Sequence, residues 1–176
     1  MPTTKKRPSA KPVIGWREWI GLPDLGVARI KAKIDTGART SSLHAFRIKK
    51  VSGPSGPEVE FFIHPVQHQA EPEIACRAPV HDEREIRSST GHRQTRYVII
   101  TRVALAGGPH GLPCESWPIE LTLTSRDEMG FRMLLGRQAV RGRFMVDPGA
   151  SFLFLGKTER YRASALPRAR TEHLKK

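Results

Sequence analysis

The triplet Asp35-Thr36-Gly37 is where this chain could do chemistry. Amide hydrolysis by carboxylates needs two of them close together, sharing one proton. Like charges at about 3 Å cannot both ionise, so one acts as general base on water and the other as general acid. Gly37 permits a tight turn and lets backbone N–H groups approach the carboxylate. Thr36 offers a hydroxyl that could tie the loop to its partner. The same three residues also suit a strand-ending turn with an exposed Asp, so the triplet by itself leaves both readings open. Only one such triplet is present. A second copy of Asp35 would therefore come from another chain, most simply in a two-fold homodimer. Asp147 is a rival, but it precedes Pro148 and reads as the start of a β-turn. Asp82, within Asp82-Glu83-Arg84-Glu85, reads as a solvated hairpin residue.

Other chemistries find weaker support. No Gly-x-x-x-x-Gly-Lys-Ser/Thr run exists to cradle ATP phosphates, and no His-Glu-x-x-His exists to hold zinc. His64 and His68 are four apart, a spacing that converges on a helix, yet Pro65 and the strand-like run before it oppose a helix there. His81 and His92 flank a turn, with Cys76 nearby. Surface histidines are expected, with no metal and no cofactor. Two cysteines, Cys76 and Cys114, are too few for a disulfide framework.

The elements that must position Asp35 are strands. Val27–Ile34 ends in a period-two alternation that stops at Asp35. Val13–Ile20 reads as a strand running into a turn at Gly21-Leu22-Pro23-Asp24, and Leu43–Val51 as another strand. The cluster from Ser52 to Pro57 reads as a loop. Glu58–His64 alternates with Val59, Phe61 and Ile63 on one side. Ile74–Ser88 and Arg93–Ala106 form two long strands joined at Ser89-Thr90-Gly91-His92 as a hairpin. Trp117–Thr124, Met133–Leu135 ending at Gly136, Phe144–Val146 and Ser151–Leu155 complete the set, with one or two helical turns over Arg137–Arg141. Fifteen Gly and fourteen Pro fit short strands and many turns. The expectation is a mostly β domain over 13–156, a barrel or sandwich with one short helix, between basic tails at 1–12 and 157–176.

Longer runs carry a resemblance. Ile14-Gly15-Trp16-Arg17-Glu18-Trp19, Leu22-Pro23-Asp24-Leu25-Gly26, Ile30 through Ala45, Met133-Leu134-Leu135-Gly136-Arg137 and Phe144-Met145-Val146-Asp147-Pro148 resemble a bacterial and archaeal family. That family carries the label ATP-dependent zinc protease, is associated with RimK-type glutamate ligases, and is regarded as retropepsin-like. The resemblance implies a single-lobed acid-protease closed barrel. It implies Asp35, Thr36 and Gly37 as the catalytic turn, with Ala38 and Arg39 beside the substrate. Retropepsins pair this turn with two apolar residues, Gly, Arg and a short helix, here Leu134, Leu135, Gly136 and Arg137. The hairpin from Val80 to Val98 would be the flap over substrate, with Ser88, Ser89, Gly91 and Arg96 near its tip. Neither ATP nor zinc chemistry, which the label names, has residues to carry it here.

Charge separates the remaining readings. The formal net charge is +13, much of it in the tails. Arg84, Arg87, Arg93 and Arg96 make the hairpin basic, and Arg39 lies by the catalytic turn. An acidic peptide, such as a Glu-rich tail, is the expected substrate. A second reading is a non-catalytic barrel whose basic tails and hairpins bind ribosomal RNA or an acidic protein. A third is the zinc hydrolase of the family label. No apolar stretch of signal or membrane-span length occurs, so the cytoplasm is the expected compartment.

Overall fold

The computed structural model describes residues 11–67, 69–87, 93–106, 115–125 and 130–154. Six strands close a barrel: β2 (Arg17–Leu22), β3 (Val27–Asp35), β4 (Ser41–His44), β9 (Arg93–Leu105), β10 (Trp117–Thr124) and β11 (Met133–Gly136). Their order around it is β10-β4-β11-β3-β2-β9, and β9 pairs back onto β10. Outside the barrel lie β1 (Val13–Gly15), paired in parallel with β12 (Met145–Asp147), and a three-stranded sheet of β5 (Phe46–Gly53), β6 (Gly56–Ile63) and β7 (Ile74–Pro79). β8 (Asp82–Arg87) extends β9 into a hairpin. One four-residue helix, α1 (Arg137–Val140), follows β11. The architecture is the expected one: mostly β, a closed barrel and one short helix.

Alternation decides which side of each strand is core. Ile30, Ala32 and Ile34 of β3 point inward with Ile20 of β2, Leu121 and Leu123 of β10, and Met133 and Leu135 of β11. Val59, Phe61 and Ile63 of β6 join the same cluster, so the outer sheet packs on the barrel as the alternation of that segment implied. Among the described residues no helix is long and apolar enough to cross a membrane.

Several boundaries differ from expectation. The stretch from Val13 to Ile20 is two strands: the chain bends at Trp16 because Gly15 lies against Ala150, whose carbonyl oxygen would sit 2.4 Å from an added Cβ. The turn then comes later, with β2 running through Gly21 and Leu22. Leu43–Val51 is also two strands. Ala45 leaves the barrel after its N–H bonds to the Thr124 carbonyl (3.0 Å), and β5 restarts in the outer sheet. Ser52–Pro57 is the tight connection of the β5–β6 hairpin, in which Gly53 opposes Gly56. Ile74–Ser88 divides between two sheets at Val80 and His81, and 151–154 forms a turn rather than a strand. The tail expectations fall almost wholly outside the described residues. Pro12 is already part of the fold, since its carbonyl accepts the Met145 N–H at 3.0 Å.

A buried carboxylate closes the structure at the β1–β2 corner. Glu18 has no exposed surface, and its oxygens accept N–H groups from Gly15 (2.7 Å), Leu153 (2.8 Å) and Phe154 (3.4 Å). These bonds tie the first strands to the segment at 151–154. Removing the acceptor strands buried donors, each costing about 1–3 kcal/mol. Glu18→Ala is expected to lower unfolding stability by roughly 3 kcal/mol, and Glu18→Gln by less because one acceptor oxygen survives. The midpoint of urea denaturation checks both; an unshifted midpoint for the alanine variant would refute the account.

Candidate active site

Asp35 is the last residue of β3, where β11 runs parallel beside it in the register Leu134↔Lys33, Leu135↔Ile34 and Gly136↔Asp35. β11 also pairs antiparallel with β4, so it lies between the two strands that the segment 36–40 must join. That segment therefore crosses over the end of β11. Gly136 is the residue beneath the crossing. A Cβ there would stand 2.4 Å from the Thr40 carbonyl oxygen, a contact no side chain can make.

The crossing is held by backbone groups that would otherwise lack partners. The first N–H groups of a helix have no acceptor within it. In α1 they donate to the loop: Arg137 N–H to the Ala38 carbonyl (2.9 Å) and Gln138 N–H to the Arg39 carbonyl (3.1 Å). The Gly136 N–H donates to the buried hydroxyl of Ser41 at 3.1 Å. The Arg137 guanidinium adds a bond to the Gly37 carbonyl at 2.9 Å. The Trp117 indole N–H in turn donates to the Ala139 carbonyl (3.0 Å) and fixes α1 against β10.

The result is a shaped carboxylate. Oδ1 of Asp35 accepts the N–H groups of Gly37 and Ala38, both at 3.1 Å. Among the described residues no donor reaches Oδ2. Asp35 is half-buried, while Thr36, Gly37 and Arg39 are exposed. The carboxylate thus faces outward on a rigid loop, one oxygen committed to its own backbone and the other available.

The structure brings Asp35, Thr36, Gly37, Ala38 and Arg39 together with Leu134, Leu135, Gly136 and Arg137. It separates the rivals. Oδ1 of Asp147 accepts the Gly149 N–H at 2.8 Å within its own turn. Asp82 pairs with Arg84 at 2.7 Å, which holds its carboxyl below the usual carboxylate range. The hairpin ladder runs from Asp82↔Val98 to Arg87↔Arg93, and Ser88, Ser89 and Gly91 lie outside the described residues. Arg96 is on β9 opposite Arg84. His64 packs on the Phe46 ring (4.4 Å between centroids) and faces Glu73 at 3.8 Å; His68 and His92 lie outside the described residues. Burial pushes the Cys76 thiol up to about 11, so it is protonated and unreactive at neutral pH.

Sequence reasoning did not single out Ser41 or a niche of about 280 Å³ lined by Trp16, Lys33, Gly130, Phe131 and Leu134. Trp16 and Phe131 meet edge to face there at 5.7 Å. The signal was present in the alternation: Lys33 and Leu134 each stand two residues before Asp35 and Gly136, hence on the same face.

Comparison with known proteins agrees with this geometry. Residues 13–155 match the family model of the RimB-like proteins, described as retropepsin-like aspartic endopeptidase RimB. Proteins named probable alpha-L-glutamate ligase from Shewanella pealeana and Parasynechococcus marenigrum are 45% and 46% identical over 140 and 141 residues. Those matches cover 80% of this chain but 29% of each relative, so the chain spans under a third of their length. A crystal structure of a Legionella pneumophila protein of unknown function shares the fold, with a TM-score of 0.66 at 23% identity over 82% of this chain and 99% of the other.

If Gly136 and Ser41 hold the loop, both should be sensitive. Gly136→Ala is expected to cost about 2 kcal/mol or more by overpacking, and Ser41→Ala about 1–3 kcal/mol by stranding a buried N–H. Thermal and urea unfolding measure both. Wild-type stability in Gly136→Ala would mean that the crossing is looser than described.

Proposed function

The chain belongs to the RimB-like family of retropepsin-like aspartic endopeptidases, and on that premise we propose that it hydrolyses peptide bonds with a dyad of two Asp35 carboxylates, one from each subunit of a symmetric homodimer. The carrying observation is the outward-facing carboxylate on a loop held by backbone bonds. Its Oδ1 is fixed by the Gly37 and Ala38 amides, and the exposed Thr36 and Gly37 beside it give a twin loop room to approach. In such a pair one carboxylate takes a proton from water while the other, protonated, donates to the substrate carbonyl or the leaving amine. No group beyond the two loops and water is needed. Thr36 would brace one loop against the other.

We place the substrate among acidic, Glu-rich protein segments, with the cytoplasm as the compartment. Two observations support that choice: the net charge of +13, and the likeness to part of proteins named probable alpha-L-glutamate ligase. The ligase name belongs to those longer chains as wholes. The residues that match here are a barrel with one candidate carboxylate, which suits bond hydrolysis.

Asp35→Asn keeps the shape of the loop, because the amide oxygen still accepts the Gly37 and Ala38 N–H groups. Cleavage of a fluorogenic Glu-rich peptide should fall to background, with circular dichroism and sedimentation unchanged. Cleavage that survives the substitution would refute the dyad. Equal turnover of Glu-rich and neutral peptides by the wild type would remove the acidic preference.

A further inference from the structure

Ion pairs occupy part of the outer sheet and the hairpin. Arg47 meets Glu73, Lys50 meets Glu83, and Arg77 meets Glu58 and Glu60 on the outer sheet. On the hairpin Arg84 pairs with Asp82 and with Glu120, and Arg93 pairs with Glu85. Two of the arginines expected to make the flap a cationic lure are thus neutralised where they stand.

The outer face of β2 and β3 gathers cations on the face that carries Asp35. Because Ile30, Ala32 and Ile34 point into the core, Arg29, Lys31, Lys33 and Asp35 share the opposite face. Arg17 and Trp19 of β2 stand beside Lys33 and Lys31 in the ladder. Among the described residues no carboxylate pairs with Arg17, Arg29, Lys31 or Lys33. Trp19 stacks on Phe152 (5.8 Å) and lies under Arg29 (5.7 Å) and Lys31 (5.5 Å), while Arg17 sits over Trp16 at 4.6 Å. The aromatics hold the cations upright. Burial, and to a lesser degree the charge of Arg17, pushes the Lys31 ammonium below its ordinary value.

We infer that this face is an exosite: an acidic stretch of the polypeptide substrate lies along Arg29, Lys31 and Lys33 and enters the Trp16–Phe131 niche beside Asp35. The inference rests on the peptidase reading above and assigns its substrate affinity to β3 rather than to the flap. Geometry favours an extended peptide. Alternate side chains of a strand recur every ~6.6 Å, the same repeat as alternate side chains of an extended acidic segment. From Arg29 to Asp35 the row covers roughly 20 Å, enough to engage three alternate carboxylates. A single-stranded nucleic acid would want free aromatic faces for its bases, and Trp19 is already occupied by Phe152, Arg29 and Lys31.

The test separates binding from cleavage. In the full-length Asp35→Asn chain, a fluorescein-labelled twelve-residue Glu-rich peptide is titrated by anisotropy at low and at moderate salt. The triple variant Arg29→Gln/Lys31→Gln/Lys33→Gln should weaken binding roughly tenfold, from exposed pairs of ordinary strength, and flatten the salt dependence. Arg29→Lys/Lys31→Arg/Lys33→Arg should restore it, and Arg84→Gln/Arg93→Gln should change it less than about twofold. With Asp35 intact, the triple Gln variant should raise KM for a long acidic peptide while leaving kcat for that peptide nearly unchanged. Unchanged binding in the triple variant, or an equal loss from the hairpin variant, would overturn the exosite. So would tighter binding of an oligonucleotide of equal charge. If no peptide is cleaved by the wild type, the peptidase reading fails by itself, and the anisotropy series still decides whether β3 is the acidic-peptide surface.

Discussion

The candidate site depends on one constraint: a short loop must cross the end of a strand that lies between its own two ends. β11 occupies the gap between β3 and β4, so residues 36–40 have no route except over Gly136. A crossing of this kind strands backbone groups on both sides. The chain answers with the N–H groups of Arg137 and Gln138 and the hydroxyl of Ser41. Each of these bonds is modest by itself. Together they leave the loop few alternatives, and the two amides facing Oδ1 of Asp35 follow from that conformation. Preorganisation of the carboxylate is thus a by-product of satisfying a topological problem.

The same view explains why the carboxylate is half-buried and not deep in the core. Glu18 shows the alternative. It is fully buried and its oxygens accept three backbone N–H groups, which suits a structural strap and leaves nothing for water or substrate. Asp35 accepts two, through one oxygen. Among the described residues no donor reaches its other oxygen, and the backbone bonds of the loop hold the carboxylate in place.

Much of this was legible from residue order. Period-two alternation before Asp35 identified β3, the apolar pair before Gly136 identified β11, and the run after it identified α1. The breaks at Trp16, Ala45 and Val80 were not legible, because each is caused by a contact distant in sequence: Ala150 behind Gly15, Thr124 against Ala45, and the change of sheet after Pro79. Local propensity cannot see a strand leaving one sheet for another. One partner of the hairpin arginines was hidden for a similar reason. Glu120, which meets Arg84, lies on a neighbouring strand thirty-six positions away.

Parity along β3 carries the last step. From Ile30 onward the even positions of β3 are buried, so the odd positions face outside, and Asp35 is odd. The choice that keeps Ile30, Ala32 and Ile34 in the core therefore also puts the acid on the same face as Arg29, Lys31 and Lys33. Slipping the register by one residue would bury three cations and expose three apolar side chains, an exchange the barrel could not survive. The cationic row and the carboxylate are consequently inseparable on this strand.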